Sequence, residues 1–581
     1  MVFILGAFGN NIHATYAQRM AHLEASYTLS TEHLMVIAGN KQDTLVSDYV
    51  YPVGQEEGVC VGKIFGRDDY KPAKFSSGID PQTFMKNFWG RYVGVVHDKA
   101  ENKIVLMRDP QGLSTLFYSI TPDGIIFSTD LSMLYDMCDD KPDVNYDYFA
   151  HYLLYQNHAL PITPLKNIYE LLPGMSLSFD LSCTTKQELL WDVSSAHAKT
   201  ITDPRTFEEE LRHTLISSLS AWTAQSDGIC LELSGGLDSS ALMIMLREIY
   251  HQDKKIIGVN YIDSKTPSSN EVAYAQEVAD MCNVPLYFSD WQQCSVLDTL
   301  PSSWRPNKPS SYLLFHKMNE QLNERAQQHE CSEIMNGQGG DHIFLAPAPE
   351  SSLADYWLAH GFRGIKKPLS ELASINRTSW SLLTKNALVS IKNYYRGSMI
   401  GTAVEAPYLE DGYYQQLTPI PLYLDEQYAT FYPAKAEQLR SFHHAVTEAD
   451  THQRFNNRLV THPLLFQPVV ELGLAIPTYQ SFAGDFDRIF LRNVASRIKN
   501  PAALWRMTKG QTTGTIIKAF SRDNKKIEDF LMQGSIVRSG MINTDWLLNA
   551  LAQIKHGQHE PMWPVMHLTS AQRWLNQWRL S

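Results

Sequence analysis

The stretch that decides the fold is "CLELSGGLDSSALMIML", which runs from Cys230 to Leu246. An apolar run stops at Ser-Gly-Gly, meets one aspartate, and continues with Leu242, Met245, Leu246 and Ile249 at helical spacing. This pattern predicts a buried strand, a tight turn and an amphipathic helix. Further strand-like and helix-like runs alternate after it, as in "KKIIGVNYID", "NEVAYAQEVADMC" and "SEIMNG". The alternation predicts a doubly wound parallel sheet.

The glycine turn is predicted to bind phosphate. Ligands of such sheets bind at the carboxyl ends of the strands, where helix N-termini present N–H groups. Gly235 and Gly236 allow close backbone approach, and Asp238 suits a Mg²⁺ ligand because its carboxylate would otherwise repel phosphate. The predicted nucleotide-binding residues are Leu233, Ser234, Gly235, Gly236, Leu237, Asp238, Ser239, Ser240, Val259 and Gly339. The alternative is a purely structural strand-to-helix turn.

The turn differs from a Walker loop, because no Gly-Lys-Ser/Thr follows to hold a γ-phosphate. A grip on pyrophosphate therefore indicates cleavage between the α- and β-phosphates, which is adenylation. A second glycine motif, "MNGQGGDHIFL", follows another strand, and Asp341 is predicted as the second Mg²⁺ ligand. His342 beside it is interpreted as incidental, with an acid or base role as the alternative.

Residues 1–190 are predicted to be rich in strands, because short β-branched and apolar runs are bounded by turn formers. Residues 122–124 offer a hairpin turn between two such runs. From about residue 350 the chain is predicted to be mostly helical. The predicted domains are residues 1–195 and residues 200–581.

Composition excludes several classes of function. The net charge of −12 and the absence of a basic block disfavour a nucleic-acid partner. No apolar run approaches the ~20 residues of a membrane span, and the N-terminus lacks secretory-signal features, so a cytoplasmic location is predicted. The seven scattered cysteines show neither zinc spacing nor a disulfide framework.

The motif "SGGLDSS" resembles the PP-loop of the asparagine synthetase superfamily. "VLMRDPQGLSTLFYS", with Arg108, Asp109 and Gly112, resembles the superfamily's glutaminase-type domain, and "THPLLFQPVVELGLAIP" resembles a segment of its synthetase domain, although Phe466 stands where Asp is usual. The resemblance implies a glutaminase-like αββα sandwich followed by an α/β PP-loop domain with helical additions. It also implies ATP and Mg²⁺ as cofactors and adenylation of a carboxylate.

"LWRMTKGQTTGT" is the third element of the resemblance. Lys509 fits the synthetase lysine that contacts the reacting acyl phosphate, and Arg506 is a weaker catalytic candidate. The family's asparagine synthetases typically show Arg-x-Lys, whereas this chain has Arg-x-x-Lys.

The glutaminase activity of the resembled family needs an N-terminal cysteine with a free α-amine. Met1 is followed by Val2, and the first cysteine, Cys60, lies within a predicted interior strand. We therefore expect no glutaminase chemistry, and we expect the N-terminal domain to be a structural relic or an interface.

Without ammonia from glutamine, the amine must arrive with the substrate. "GQGGDHIF" looks like the corresponding motif of lasso peptide cyclases, and Gln338 stands where β-lactam synthetases typically place a tyrosine. The resemblance implies a macrolactam synthetase that acts on a precursor peptide, with a leader-removing protease as partner by analogy. An ammonia-dependent asparagine synthetase, a β-lactam-synthetase-like enzyme and a non-catalytic nucleotide-binding scaffold stay as alternatives. No base for the amine is assigned.

Overall fold

A computed structural model describes most of the chain: residues 2–40, 50–54, 57–73, 80–155, 158–191, 200–265, 271–397, 406–420, 428, 430–451, 460–507 and 512–580. We call residues 2–191 the N-terminal half and residues 200–580 the C-terminal half. The predicted domain boundary falls on residues 192–199, outside the described ranges, and stays a prediction. Among the described helices, none has the length and apolarity that crossing a bilayer requires.

The N-terminal half is built from two antiparallel sheets. Their strands are β1 (Val2–Gly9), β2 (Tyr27–Ser30), β3 (Leu34–Asn40), β4 (Val50–Val53), β5 (Gly58–Gly66), β6 (Phe88–Asp98), β7 (Lys103–Arg108), β8 (Phe117–Thr121), β9 (Gly124–Ser128), β10 (Tyr169–Glu170), β11 (Met175–Asp180) and β12 (Thr185–Leu189). One sheet has the order β10-β8-β9-β1-β3-β2, and the other has the order β12-β11-β7-β6-β5-β4. The predicted strand-rich layers and the β8–β9 hairpin are confirmed.

The two sheets pack face to face because alternate residues of their strands are apolar. Phe8 and Phe127 of one sheet share a buried cluster with Val93 and Leu106 of the other. The helices of this half are α1 (Ile12–Met20), α2 (Pro81–Asn87), α3 (Leu131–Met137) and α4 (Tyr146–Tyr155).

The C-terminal half contains the predicted parallel sheet. Its strands are β13 (Gly228–Glu232), β14 (Lys255–Ile262), β15 (Leu286–Asp290), β16 (Glu333–Met335) and β17 (Val460–Thr461), in the order β15-β14-β13-β16-β17. Every pairing between neighbouring strands in this order is parallel. The central strand β13 is apolar because helices cover both faces of the sheet, and its Ile229, Cys230 and Leu231 are fully buried.

The other regular elements of the C-terminal half are mostly α-helices. They are α5 (Pro204–Thr223), α6 (Leu237–Tyr250), α7 (Val272–Cys282), α8 (His316–Gln328), α9 (Gly340–Ile343), α10 (Ser352–His360), α11 (Lys366–Ile375), α12 (Trp380–Tyr395), α13 (Asp411–Gln416), α14 (Pro433–Thr451), α15 (Gln467–Ala475), α16 (Ile489–Ser496), α17 (Thr512–Arg522), α18 (Asn524–Met532), α19 (Ser535–Arg538), α20 (Thr544–Lys555) and α21 (Met562–Gln577). The predicted apolar face of α7, with Ala275, Val278, Ala279 and Cys282, is the face that it buries.

An aromatic stack joins the two halves. Phe466 stacks on Trp222 with ring centroids 4.5 Å apart, and Trp89 of β6 lies 5.4 Å from Phe466. Arg67 of the N-terminal half adds a two-bond ion pair to Glu471 of α15 at 2.7 and 2.9 Å. The departure from the family pattern at position 466 therefore has a physical reason here, since an aspartate at this site would be buried among aromatic rings.

The Arg108 guanidinium forms a sealed polar network in the N-terminal half. It donates to Glu170 Oε1 at 2.7 Å and to the carbonyl oxygens of Leu171 and Gly112 at 2.8 and 2.9 Å. Lys308 of the C-terminal half donates to the same Glu170 oxygen at 2.6 Å. In this structure the Arg-Asp motif of the N-terminal half thus stabilises the interior. The thiol of Cys60 is also buried, and burial raises its pKa, which makes it a poor nucleophile.

Candidate active site

The Ser-Gly-Gly turn joins the carboxyl end of β13 to α6. Ser234 anchors the turn because its hydroxyl accepts from Gly236 N at 3.2 Å and lies 3.1 Å from Ser239 Oγ. Gly235 has a φ of 79°, and a Cβ there would lie 2.8 Å from Ala275 N of α7, so both backbone shape and space require glycine. Gly236 is the N-cap of α6, and in the described structure no side chain caps this helix end. The first N–H groups of α6 therefore suit an anion.

The second glycine loop packs directly on the first. A Cβ on Gly337 would lie 2.8 Å from Ser239 N, and one on Gly340 would lie 2.4 Å from Asp238 Cγ. Side chains at either position would push the two loops apart. The glycines of "GQGGD" thus bring Asp341, which follows on α9, to the same end of the sheet as Asp238.

Both loops open on one cavity of about 840 Å³. The predicted site residues that line it are Ser234, Gly236, Leu237, Asp238, Ser239, Val259, Gly339, Asp341 and Arg506. Leu233 and Ser240 are fully buried behind the turn, and Gly235 packs against α7. The volume falls within the range of about 300–1,000 Å³ that is typical of small-molecule sites.

Asp238 and Asp341 are held together by Arg488, which precedes α16. Its Nη1 donates to Asp238 Oδ2 at 2.7 Å and to Asp341 Oδ1 over a still shorter separation. Burial alone would lower the pKa of Arg488, but the carboxylates of Asp238, Asp341 and Asp487 outweigh burial and raise it. Arg488 also has a φ of 50°, an uncommon backbone conformation for a side chain of this size. Strained backbone of this kind concentrates at functional sites.

The two carboxylates fit a Mg²⁺ site in their chemistry. Carboxylate oxygens are the ligands that Mg²⁺ prefers, and the guanidinium shows that one positive group can contact both Asp238 and Asp341. Their assignment as Mg²⁺ ligands stays a prediction, and Arg488 is the residue with which the ion would share them.

Arg506 lies at the turn. It donates to the Gly235 carbonyl at 3.0 Å, pairs with Glu271 at the start of α7, and lies over the Tyr274 ring at 4.2 Å. These contacts favour a positioning role for Arg506 over contact with reacting atoms. Lys509 lies outside the described residues, so its predicted catalytic role stays a prediction.

Sequence reasoning missed Arg488 and the residues behind the second loop. Asn336 donates to Glu232 at 3.3 Å and lies 2.7 Å from His462 Nδ1, which fixes the loop to the ends of β13 and β17. The sequence indicates Arg488 as a site residue only weakly, through the acidic-basic pair Asp487-Arg488 that directly precedes an apolar helix. Its partners Asp238 and Asp341 lie 250 and 147 positions away in the sequence, so no local pattern indicates these contacts.

A parallel sheet whose glycine turn opens on such a cavity defines a nucleotide-binding α/β protein. Within that class, the chain belongs to the asparagine synthase family, because the family model "Asparagine synthase" matches residues 210–576, more than half of the chain. A second model, "Glutamine amidotransferase domain", matches residues 78–190. The protein is therefore a member of a family of ATP-dependent amide-forming ligases, as the resemblance implied.

Two curated proteins are similar to this chain. The "Putative asparagine synthetase [glutamine-hydrolyzing] 2" of Methanocaldococcus jannaschii is 24% identical over 45% of this chain and 50% of its own length. The "Microcin J25-processing protein McjC" of Escherichia coli is 20% identical over 54% of each chain. This chain thus spans about half the length of the curated relatives it matches.

Among solved structures, the NH3-dependent NAD synthetase of Campylobacter jejuni is similar at 15% identity. The match covers 34% of this chain and 98% of that one, with a TM-score of 0.19.

Proposed function

We propose that this protein is an ATP-dependent macrolactam synthetase. It adenylates an Asp or Glu side chain of a precursor peptide and joins that carbonyl to the peptide's own N-terminal amine. AMP and pyrophosphate are the other products. A protease that removes a leader and frees the amine is the expected partner.

The observation that carries the adenylation step is the meeting of Asp238 and Asp341 at one cavity, beside the N-terminus of α6. The helix end suits the phosphates, and the two carboxylates suit a cation on them. When bound, Mg²⁺ would neutralise charge on the departing pyrophosphate.

The peptide substrate is supported by two further observations. Gln338 lines the cavity where β-lactam synthetases typically carry a tyrosine, and a glutamine amide cannot act as a base. The similarity to the microcin J25-processing protein extends over 54% of this chain. Both favour a peptide over a small amino acid.

The residues of the chain would act mainly by positioning. Arg506 and Glu271 hold the Gly235 turn. The close packing of Gly337 and Gly340 on Ser239 and Asp238 fixes Asp341 relative to Asp238. A folded peptide whose amine is held against the activated carbonyl gains a large effective concentration. Lys509 is the proposed cation that stabilises the developing oxyanion.

The test uses the leaderless core of a short precursor peptide encoded beside the gene, with ATP and Mg²⁺. We expect AMP formation and a product lighter by one water in mass spectrometry. The N-acetylated core peptide is the matched control: it should still exchange pyrophosphate into ATP but should lose no water, since its amine is blocked.

Two outcomes would contradict the proposal. Efficient asparagine formation from aspartate, ammonium and ATP would assign an asparagine synthetase. If the Asp238→Ala protein converted ATP to AMP as fast as the wild type does with the same peptide, the nucleotide site would have no catalytic role and the chain would be a scaffold.

A further inference from the structure

A cluster of metal-binding side chains lies at the edge of the nucleotide cavity. His342 of α9 and His444 and Glu448 of α14 each offer one ligand atom, and these atoms all lie within 4.8 Å of one another. All three side chains are partly buried, and His342 and Glu448 line the cavity. The cluster offers two imidazole nitrogens and one carboxylate oxygen as ligand atoms, whereas Asp238 and Asp341 offer only carboxylate oxygens.

The fold explains why these residues meet. His444 and Glu448 are four positions apart on α14, so they lie one above the other on the same face of the helix. Helix α9 packs against α14, and Gln438 of α14 donates to the Ile343 carbonyl at 2.6 Å. The cluster therefore joins two helices that are already tied together.

The surroundings fix the cluster in place. His342 Nδ1 lies 2.7 Å from Ser441 Oγ, a hydrogen bond that orients the imidazole ring. The start of α14 is held by Asp355, whose carboxylate accepts from Ala434 N at 2.9 Å and Lys435 N at 3.1 Å. A hydrogen bond such as the one between His342 and Ser441 is typical of metal-binding histidines.

We propose that His342, His444 and Glu448 bind one divalent transition-metal ion of the Zn²⁺ class at the wall of the nucleotide cavity. Two histidines and one glutamate form a typical three-ligand zinc set, which leaves a coordination position for water or a substrate group. The ion would border the space in which the reacting groups lie. The inference stands apart from the proposed function, because metal binding can be measured without substrate.

The experiment uses the full-length protein, stripped with a chelator, dialysed and titrated with Co²⁺ in the absence of ATP and peptide. We expect one equivalent to bind with the visible absorption of four-coordinate Co²⁺ and to be displaced by Zn²⁺. Elemental analysis after Zn²⁺ loading should give one Zn²⁺ per chain. Mg²⁺ in millimolar excess should not displace it, because hard oxygen-preferring ions do not suit imidazole.

His444→Ala and the isosteric Glu448→Gln should each weaken binding at least about 100-fold. His360→Ala, which removes an exposed histidine from α10, is the control and should bind as the wild type does. All titrations are made on a Cys183→Ser background, since Cys183 is an exposed thiol that could bind metal by itself. Circular dichroism confirms folding of each variant.

The proposal is overturned if the stripped protein takes up no stoichiometric Co²⁺ or Zn²⁺, or if Glu448→Gln and His444→Ala bind like the wild type. Asp238→Asn should leave Co²⁺ binding intact. Loss of Co²⁺ binding in that variant alone would assign the ion to the Asp238–Asp341 pair instead and would equally overturn the proposal.

Discussion

The two halves of the molecule each bury charged side chains, but they place them differently. In the N-terminal half, the side chains of Arg108 and Glu170 are 1% and 2% exposed, and their hydrogen bonds end on protein groups. In the C-terminal half, Arg488 and Asp238 are 10% and 11% exposed, and they face a cavity together with Asp341. The sealed network supports the fold, whereas the open one can exchange its partners for a ligand.

The sharpest test of this comparison is Arg108→Met. Removal of the guanidinium leaves Glu170 with Lys308 and leaves buried carbonyl groups without a donor, so we expect the free energy of unfolding to fall by about 3–5 kcal/mol. Urea unfolding measures this change. Arg19→Met, which breaks the exposed pair with Asp139, is the control and should cost less than about 1 kcal/mol. Equal losses of stability in the two variants would show that the buried Arg108 network contributes no more to the fold than an exposed ion pair does.

The opposite pattern is expected for Asp238→Asn. Formation of AMP should fall by about 10²–10³-fold, because the amide cannot hold a cation on pyrophosphate. The free energy of unfolding should fall by only about 1–2 kcal/mol, since Arg488 keeps Asp341 and Asp487. A steady-state assay of AMP and a urea curve on the same protein give both numbers. A large loss of stability with little loss of rate would make this network structural, like that of Arg108.

The buried His316 belongs to neither of these two networks and tests the cost of placing a charge on a buried imidazole. Burial, and then the positive Arg573, lowers its pKa from 6.5 to about 4. Between pH 4 and pH 6.5, His316 is therefore protonated in the unfolded chain and neutral in the folded protein. The contribution of His316 to the free energy of unfolding is complete above pH 6.5. It is lost as the pH falls to about 4, and the loss amounts to up to about 3 kcal/mol.

Urea unfolding at pH 7, 5 and 4 measures this dependence, with His316→Gln as the matched variant. The difference between the wild type and His316→Gln isolates the contribution of one imidazole. Parallel pH profiles for the two proteins would show that His316 is not the group responsible.

The smallest effect is expected at the junction of the halves. Phe466→Leu keeps an apolar side chain on Trp222 but removes the ring contacts, so the free energy of unfolding should fall by about 1 kcal/mol with AMP formation unchanged. Phe362→Leu, at a site 71% exposed, is the control and should have no measurable effect. A marked loss of activity in Phe466→Leu would show that the aromatic ring itself, and not only an apolar side chain at position 466, is needed to position the glycine loops.

The parts of this structure that the sequence predicts are those encoded by neighbouring residues. The turn at Gly235, the strand before it and the buried face of α7 follow from local spacing and glycine conformation. The meeting of Asp238 with Asp341 also follows, because parallel strands end at the same edge of a sheet.

The parts that it does not predict depend on contacts between distant residues. Arg488 reaches Asp238 across 250 positions, and Arg506 reaches Glu271 across 235, so no local period indicates either contact. Phe466 looked like a departure from a motif, while its role is packing against two tryptophans. The cluster of His444 and Glu448 was missed because i, i+4 pairs of polar residues occur on many helices.

The aromatic stack limits how far this protein can be truncated from its N-terminus. A Cβ on Gly339 would lie 2.4 Å from Leu465 Cδ2, and Leu465 directly precedes Phe466, whose ring needs Trp89 from β6 on its other side. The loop before Asp341 therefore packs on Leu465, and the segment that contains Leu465 and Phe466 is held in place by Trp89 of the N-terminal half. A fragment that begins at residue 200 would keep both glycine loops in its sequence. It would lose the packing that holds the two loops in their relative positions.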